Sequence, residues 1–186
     1  MRKLRVGMFA VAAAALLAGP ARAQLPHVTP FAFEVRGGIA IPTGDFNDVA
    51  DPGPALNGNV TLYVMPMIGI YGGYHYTKFG SEGSGDFTET GPEVGVRVDI
   101  PTPLIPIDPY VKAGVAWNNL ELTGAGANNF DSSSTGFQLN AGVALSLGPV
   151  SLTPGFTFVT YHYDSATTED ETASYIRADI GVRIRI

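Results

Sequence analysis

The chain has 186 residues, with 11 lysines and arginines against 17 aspartates and glutamates, and no cysteine. That length suits one domain with its own core. The missing cysteine excludes a disulfide framework or a lipid-modified cysteine, and the acidic balance argues against nucleic acid or anionic lipid as the main partner.

The first 23 residues have the three parts of a secretory signal: Arg2, Lys3 and Arg5, an apolar run from Val6 to Ala18, and the small-residue cleavage pattern Ala21-Arg22-Ala23. The apolar run is shorter than the roughly 20 residues a spanning helix needs, and nothing downstream approaches that length. Residues 1–23 are therefore expected to be cleaved, leaving 24–186 as one domain with seven basic side chains against 17 acidic ones. If this chain enters a membrane, it does so as strands.

Beyond the signal no helical period outlasts a turn or two, while apolar residues alternate repeatedly with small or polar ones. In chain order the predicted strands run Phe31 to Ile41, Asn59 to Val64, Ile68 to Tyr76, Glu93 to Ile100, Tyr110 to Trp117, Phe137 to Leu147, Val150 to Tyr163 and Tyr175 to Ile186. The last is the clearest: Ile176, Ala178, Ile180, Val182, Ile184 and Ile186 point one way, and Tyr175, Arg177, Asp179, Gly181, Arg183 and Arg185 the other. Pro154 inside the seventh predicts a bulge or an early exit. Met65-Pro66-Met67, Pro101 to Pro106 and Gly148-Pro149 are tight connections. Pro42 to Gly58, Lys78 to Pro92, Leu120 to Thr135 and Asp164 to Thr172 are long and rich in Gly, Asp, Ser, Thr and Asn. An even strand number, with short turns and both chain ends on one side, predicts an all-β, eight-stranded, antiparallel up-and-down transmembrane barrel with short periplasmic turns and four long extracellular loops.

Alternation alone fits a soluble barrel too, so the composition of the polar face decides which face is inside. A wet face is normally strewn with lysine and glutamate; this one holds Gly38, Gly69, Gly73, Gly95, Gly114, Gly142 and Gly181 beside a few charges. Eight strands enclose a space that side chains fill, so tall residues need glycine opposite, and a plug is expected in place of a pore. The expected interior charges are Glu34, Arg36, Glu93, Arg97, Asp99, Lys112, Arg177, Asp179, Arg183 and Arg185, four acids and six bases, close enough to balance for ion pairing. Tyr74, Tyr76 and Trp117 suit an aromatic girdle near the long-loop ends.

These residues resemble the small OmpA-like outer-membrane β-barrel proteins. Gly37-Gly38-Ile39-Ala40-Ile41-Pro42-Thr43-Gly44-Asp45-Phe46 resembles that group's first-strand exit, Pro109-Tyr110-Val111-Lys112-Ala113-Gly114 its fifth strand, and Asp179-Ile180-Gly181-Val182-Arg183-Ile184-Arg185-Ile186 its C-terminal assembly signal, with Gly181, Ile184 and Ile186 the signal positions. The family's signal usually ends in an aromatic residue where this chain has Ile186. The resemblance covers the whole mature chain. It implies residence in the outer membrane, recognition by the barrel-insertion machinery and a structural or surface-interaction role; with no sequence after the barrel, the peptidoglycan-binding domain of some relatives is not expected.

No active site is legible. His27, His75 and His162 are the only histidines, too few and too far apart for a metal site; His75 reads as an interfacial side chain and His162 as facing lipid or loop. A lipid-A-modifying enzyme would need a Ser-His-carboxylate set, for which His162 with Ser165 or Ser174 and Asp164 are the available members, but they lack the Ser-His adjacency of outer-membrane deacylases. Gly83-Ser84-Gly85 and Gly124-Ala125-Gly126 precede no helix and cradle no phosphate. The long loops hold twelve acids: Asp45, Asp48, Asp51, Glu82, Asp86, Glu89, Glu121, Asp131, Asp164, Glu169, Asp170 and Glu171, opposed only by Lys78. They form a solvated acidic surface that could also gather a cationic or protein partner. The reading is a monomeric, non-enzymatic outer-membrane barrel without cofactor or metal, not an open porin, in contact with outer-membrane lipid. The alternatives are a soluble periplasmic or secreted barrel holding an apolar ligand and, third, the lipid-A-modifying enzyme.

Overall fold

The computed structural model describes residues 31–48, 50–80, 86–103, 105–123, 130–164 and 170–186. The expected signal at 1–23 and His27 lie outside them. Eight strands, β1 (Phe31–Thr43), β2 (Gly53–Met65), β3 (Ile68–Phe79), β4 (Asp86–Asp99), β5 (Ile107–Thr123), β6 (Phe130–Leu147), β7 (Val150–Asp164) and β8 (Asp170–Arg185), pair with their sequence neighbours. β1 and β8 close the barrel. Closure is antiparallel and in constant register from Ala32↔Arg185 to Thr43↔Ser174, and the Ile186 amide adds a bond to the Phe31 carbonyl at 3.0 Å. Each strand's period of two then sends one set of side chains inward and the other outward.

The outward set is apolar. Val35, Ile39, Leu56, Val60, Ile70, Val96, Leu139, Phe156, Ile180 and Val182 are all exposed, and Val35 and Phe156 each keep 66% of their surface bare. A continuous apolar belt of this extent is not tolerated against water, and it matches the lipid-facing band of a spanning barrel. The soluble-barrel alternative needs this face to line a cavity and the arginine-glycine face to meet solvent; the structure has them the other way round. The belt ends at Tyr74, Tyr76 and Trp117, all exposed. Beyond Phe137, Phe158 and Ile176 the outward positions become Thr135, Thr160, His162 and Ser174, where Ser174 donates to Thr160 at 3.0 Å.

Two expectations are corrected. β7 runs straight through Pro154: its pairing with β8 keeps one register from Val150↔Ile184 to Asp164↔Asp170. Proline lacks only one ladder donor, and the β6 pairing simply lapses between Gly142↔Gly155 and Leu145↔Leu152 without changing register. The strands also reach well into the stretches read as long loops, so 53–58, 86–92, 120–123, 130–135 and 170–172 are paired strand. Hydrogen bonding continues there while the apolar signal fades, because above the membrane the outer face meets water.

Glycine makes room for tall interior residues. A Cβ on Gly114 would lie 2.4 Å from the Tyr71 hydroxyl, and one on Gly95 2.7 Å from the Tyr71 ring; Gly142 and Gly155 serve Tyr110 in the same way. Gly114→Ala is expected to cost about 1–3 kcal/mol through overpacking, read from urea unfolding followed by the fluorescence of Trp117, the chain's single tryptophan. Adding Tyr71→Phe, which deletes the crowding oxygen, should return part of that loss. Full loss in the double variant would place the strain on the Val94 carbonyl, which is also 2.5 Å away.

At the long-loop end a single 3-10 turn, Gly44–Asp48, folds over the mouth. It inserts Phe46 edge-on against Phe79, 5.2 Å between ring centres, and Phe79 packs likewise on Tyr175 at 5.2 Å. Ala40, Ala50, Ala55, Val159, Tyr161 and Ala173 complete this apolar cluster.

Candidate functional site

The interior is the chemically distinctive part of the molecule. Glu34, Arg36, Glu93, Arg97, Asp99, Lys112, Arg177, Asp179 and Arg183 are all buried there, while the Arg185 side chain at the short-turn end stays 41% exposed. Three carboxylates serve as hubs. Asp99 on β4 accepts Arg97 Nε at 2.9 Å, Arg183 Nη1 at 3.1 Å and the Tyr63 hydroxyl at 2.5 Å, and Arg185 reaches it at 3.5 Å. Glu34 on β1 accepts Arg36 Nη1 at 2.9 Å and Thr153 Oγ1 at 2.7 Å on one oxygen. Its other oxygen takes Arg97 Nη1 at 3.4 Å and lies 3.6 Å from Lys112 Nζ. Asp179 on β8 binds the Arg36 guanidinium from one side and Arg177 Nε, at 2.8 Å, from the other.

Tyrosines fill the space between the charges. Arg36 donates to the Tyr110 hydroxyl at 2.8 Å, and the Arg97 guanidinium sits 3.9 Å over the Tyr110 ring. Lys112 Nζ sits 4.3 Å over Tyr71. Such cation–π contacts help to offset the loss of water around a buried cation. A residual cavity of about 10 Å³ remains between Arg36, Tyr71, Glu93, Lys112 and Arg177, room for about one water molecule.

Glu89 requires a correction. Read as a rim acid, it is fully buried inside the barrel, because β4 begins at Asp86 and Glu89 therefore shares its inward parity with Glu93 and Arg97. It accepts the hydroxyls of Tyr161 and Tyr175, each at 3.1 Å. His75, read as interfacial, is likewise inside: its Nε2 is 3.4 Å from Glu89 and its Nδ1 3.9 Å from Glu93, whose carboxylate also accepts Gln138 Nε2 at 3.0 Å. With Glu89 the interior holds five acids. The signal that could have found these residues was the parity of the strand, had it been carried past Pro92 and up to His75.

The described part of the rim carries Asp45, Asp48, Asp51 and Glu121 exposed, and Asp86 half-buried. Lys78 binds Asp86 at 2.6 Å, and that hydrogen bond and charge raise the lysine's pKa. Glu82, Ser165 and Glu169, and the side chains of Asp131, Asp164, Asp170 and Glu171, lie outside the described residues. His162 is exposed on the outer face, opposite in sense to His75. Among the described residues no three histidine, aspartate or glutamate side chains are placed to hold a metal ion. Of the assembly-signal positions, Gly181 faces inward against Arg36 and Thr153, while Ile184 and Ile186 are exposed on the outer face at the β8 terminus.

Solved structures share this architecture. The chain is similar to Neisserial surface protein A, with 19% identity over 84% of this chain and 97% of that one and a TM-score of 0.69. It is similar to the N-terminal β-barrel domain of Pseudomonas aeruginosa OprF, with 12% identity, coverages of 83% and 97% and a TM-score of 0.52. It is also similar to Ail, the attachment invasion locus protein of Yersinia pestis, in complex with the heparin analogue sucrose octasulfate, with 15% identity, coverages of 83% and 99% and a TM-score of 0.52. No curated protein sequence matches. The family described as outer membrane protein beta-barrel domain matches residues 9–183. Because that match takes in all eight strands, the chain belongs to the outer-membrane β-barrel domain family, whose place is the bacterial outer membrane.

Proposed function

We propose that this protein is a monomeric, non-catalytic barrel that does not conduct ions across the outer membrane and presents an acidic extracellular rim to cationic or protein partners. The observation that carries the reading is the chain of buried ion pairs from Asp99 through Glu34 to Asp179, which ties β1, β4 and β8 together across the lumen. An ion entering there would have to break charge-assisted bonds inside a low-dielectric core. Asp45, Asp48 and Asp51 stand exposed at the opposite end from the turns, and only Lys78, already paired, opposes the acids there. Ail was solved with a polyanion; a carboxylate rim favours the opposite charge. Lipid contacts the outer belt, and the insertion machinery would read Gly181, Ile184 and Ile186. No cofactor or nucleic acid enters this reading.

Fractionation with and without boiling, followed by planar-bilayer recording, tests it. The expected result is an outer-membrane protein whose gel mobility shifts on heating and which gives no steady conductance. Stable unitary steps would overturn the closed-lumen reading. The lipid-modifying alternative predicts that expression alters the lipid A mass spectrum and that His162→Ala reverses the change; an unaltered spectrum is expected.

A further inference from the structure

We propose that the Gly44–Asp48 turn is a lid over a polar chamber in the extracellular end of the lumen, and that lifting it admits small hydrated cations from outside as far as His75 and Glu89. This goes beyond the function proposed above, since the Arg36–Asp179–Arg177 floor would still block passage through the barrel.

The polar groups beneath the turn come from three adjacent strands. His75 on β3 pairs with Gly91 on β4, and Gly91 lies directly against Asn118 on β5, where a Cβ would meet the Asn118 Cα at 3.4 Å. His75 and Asn118 thus flank a position without a side chain, with Glu89 and Glu93 two residues to either side on β4. Among the described residues, neither Glu89 nor Glu93 has a lysine or arginine within ion-pair distance: His75 is the nearest base to Glu89, and Glu93 faces Lys112 and Arg177 only across the small cavity below. This contrasts with the lower lumen, where every carboxylate binds at least two bases. Among the described residues, the fully buried Asn118 amide has no hydrogen-bond partner at either atom, and neither ring nitrogen of His75 has one in good geometry. Buried polar groups left in this state carry an unrecovered desolvation cost, and water with a small cation is what would relieve it.

The roof is slight by comparison. Among the described residues it is one turn, packed on β1 and β8, held by the Phe46 ring, an Ala50 amide bond to the Phe46 carbonyl at 3.1 Å, and an Asp51 amide bond to the Gly80 carbonyl at 2.8 Å. Gly44, where the turn leaves β1, has φ of 63° with nothing within 4 Å of a would-be Cβ, so the chain can pivot there without a steric barrier. Closure buries Phe46 and Ala50 against Phe79 and Tyr175; opening rehydrates several polar groups. Opposing contributions of this kind leave the open form within thermal reach.

The chain contains no cysteine, so Asn118→Cys provides a single reporter in the full-length barrel reconstituted in phosphatidylcholine vesicles. The rate of its modification by a membrane-impermeant, positively charged methanethiosulfonate added outside is the readout, with His75→Cys as a second reporter should the first fail to give a heat-shifting barrel. Slow labelling with Phe46 present and at least tenfold faster labelling with Phe46→Ser is expected, as is severalfold slower labelling by the negatively charged reagent. Glu89→Gln should narrow that charge preference. Equal rates with and without Phe46, or no labelling in either, would overturn the lid; equal rates for the two reagents would overturn the cation preference.

Discussion

Asp179→Ala is expected to lower the unfolding free energy of the barrel by about 3–5 kcal/mol, the usual cost of stranding a buried charge. Asp179 is the shared partner of Arg36 and Arg177, both buried, and Thr157 Oγ1 lies 3.2 Å from its second oxygen. Removing it leaves one guanidinium with only Glu34, Tyr110 and Thr153, and the other with little beyond Thr157. Lys112→Met supplies the contrast. Its ammonium is 3.6 Å from Glu34, which keeps Arg36 and Arg97, and methionine retains most of the packing on Tyr71; a loss of about 1 kcal/mol or less is expected. Urea titrations of both variants in phospholipid vesicles, followed by Trp117 fluorescence, make the comparison. Equal losses would mean that the network stabilises through bulk rather than through charge pairing.

Val96→Arg carries the second large effect. Val96 is exposed at mid-strand on β4, between Ile70 on β3 and Ala113 on β5, which places it near the centre of the lipid band. An arginine there is expected to cost about 2–4 kcal/mol, whereas Thr135→Arg, paired with Trp117 at the aromatic girdle, should cost about 0–1 kcal/mol. The two free energies come from the same vesicle titration. If Val96→Arg were as mild as Thr135→Arg, the apolar belt would not be meeting hydrocarbon.

Both predictions rest on inside and outside being assigned correctly, and much of that assignment is local. The strict alternation from Tyr175 to Ile186, and the glycines on the charged face, sort side chains between two surfaces with no knowledge of any partner strand, because a strand's period of two is a property of its own backbone. The signature weakens wherever both faces of a strand are polar. Glu89 illustrates this: Thr88, Glu89 and Thr90 contain no apolar residue to set a phase, so parity points the carboxylate inward only once pairing with β3 and β5 shows that the strand continues.

From its own residues the chain determined the strand count, the position of the tight turns and the apolar outer face, since each follows from periodicity or turn chemistry within about a dozen neighbours. Tertiary structure alone decided which acid meets which base, which glycine accommodates which tyrosine, and that Phe46 leaves its loop to pack on Phe79. Arg36 and Asp179 are 143 positions apart in sequence, and their contact exists only because β1 and β8 close the barrel in one register. A contact of that separation is a consequence of closure, and closure is a property of all eight strands together.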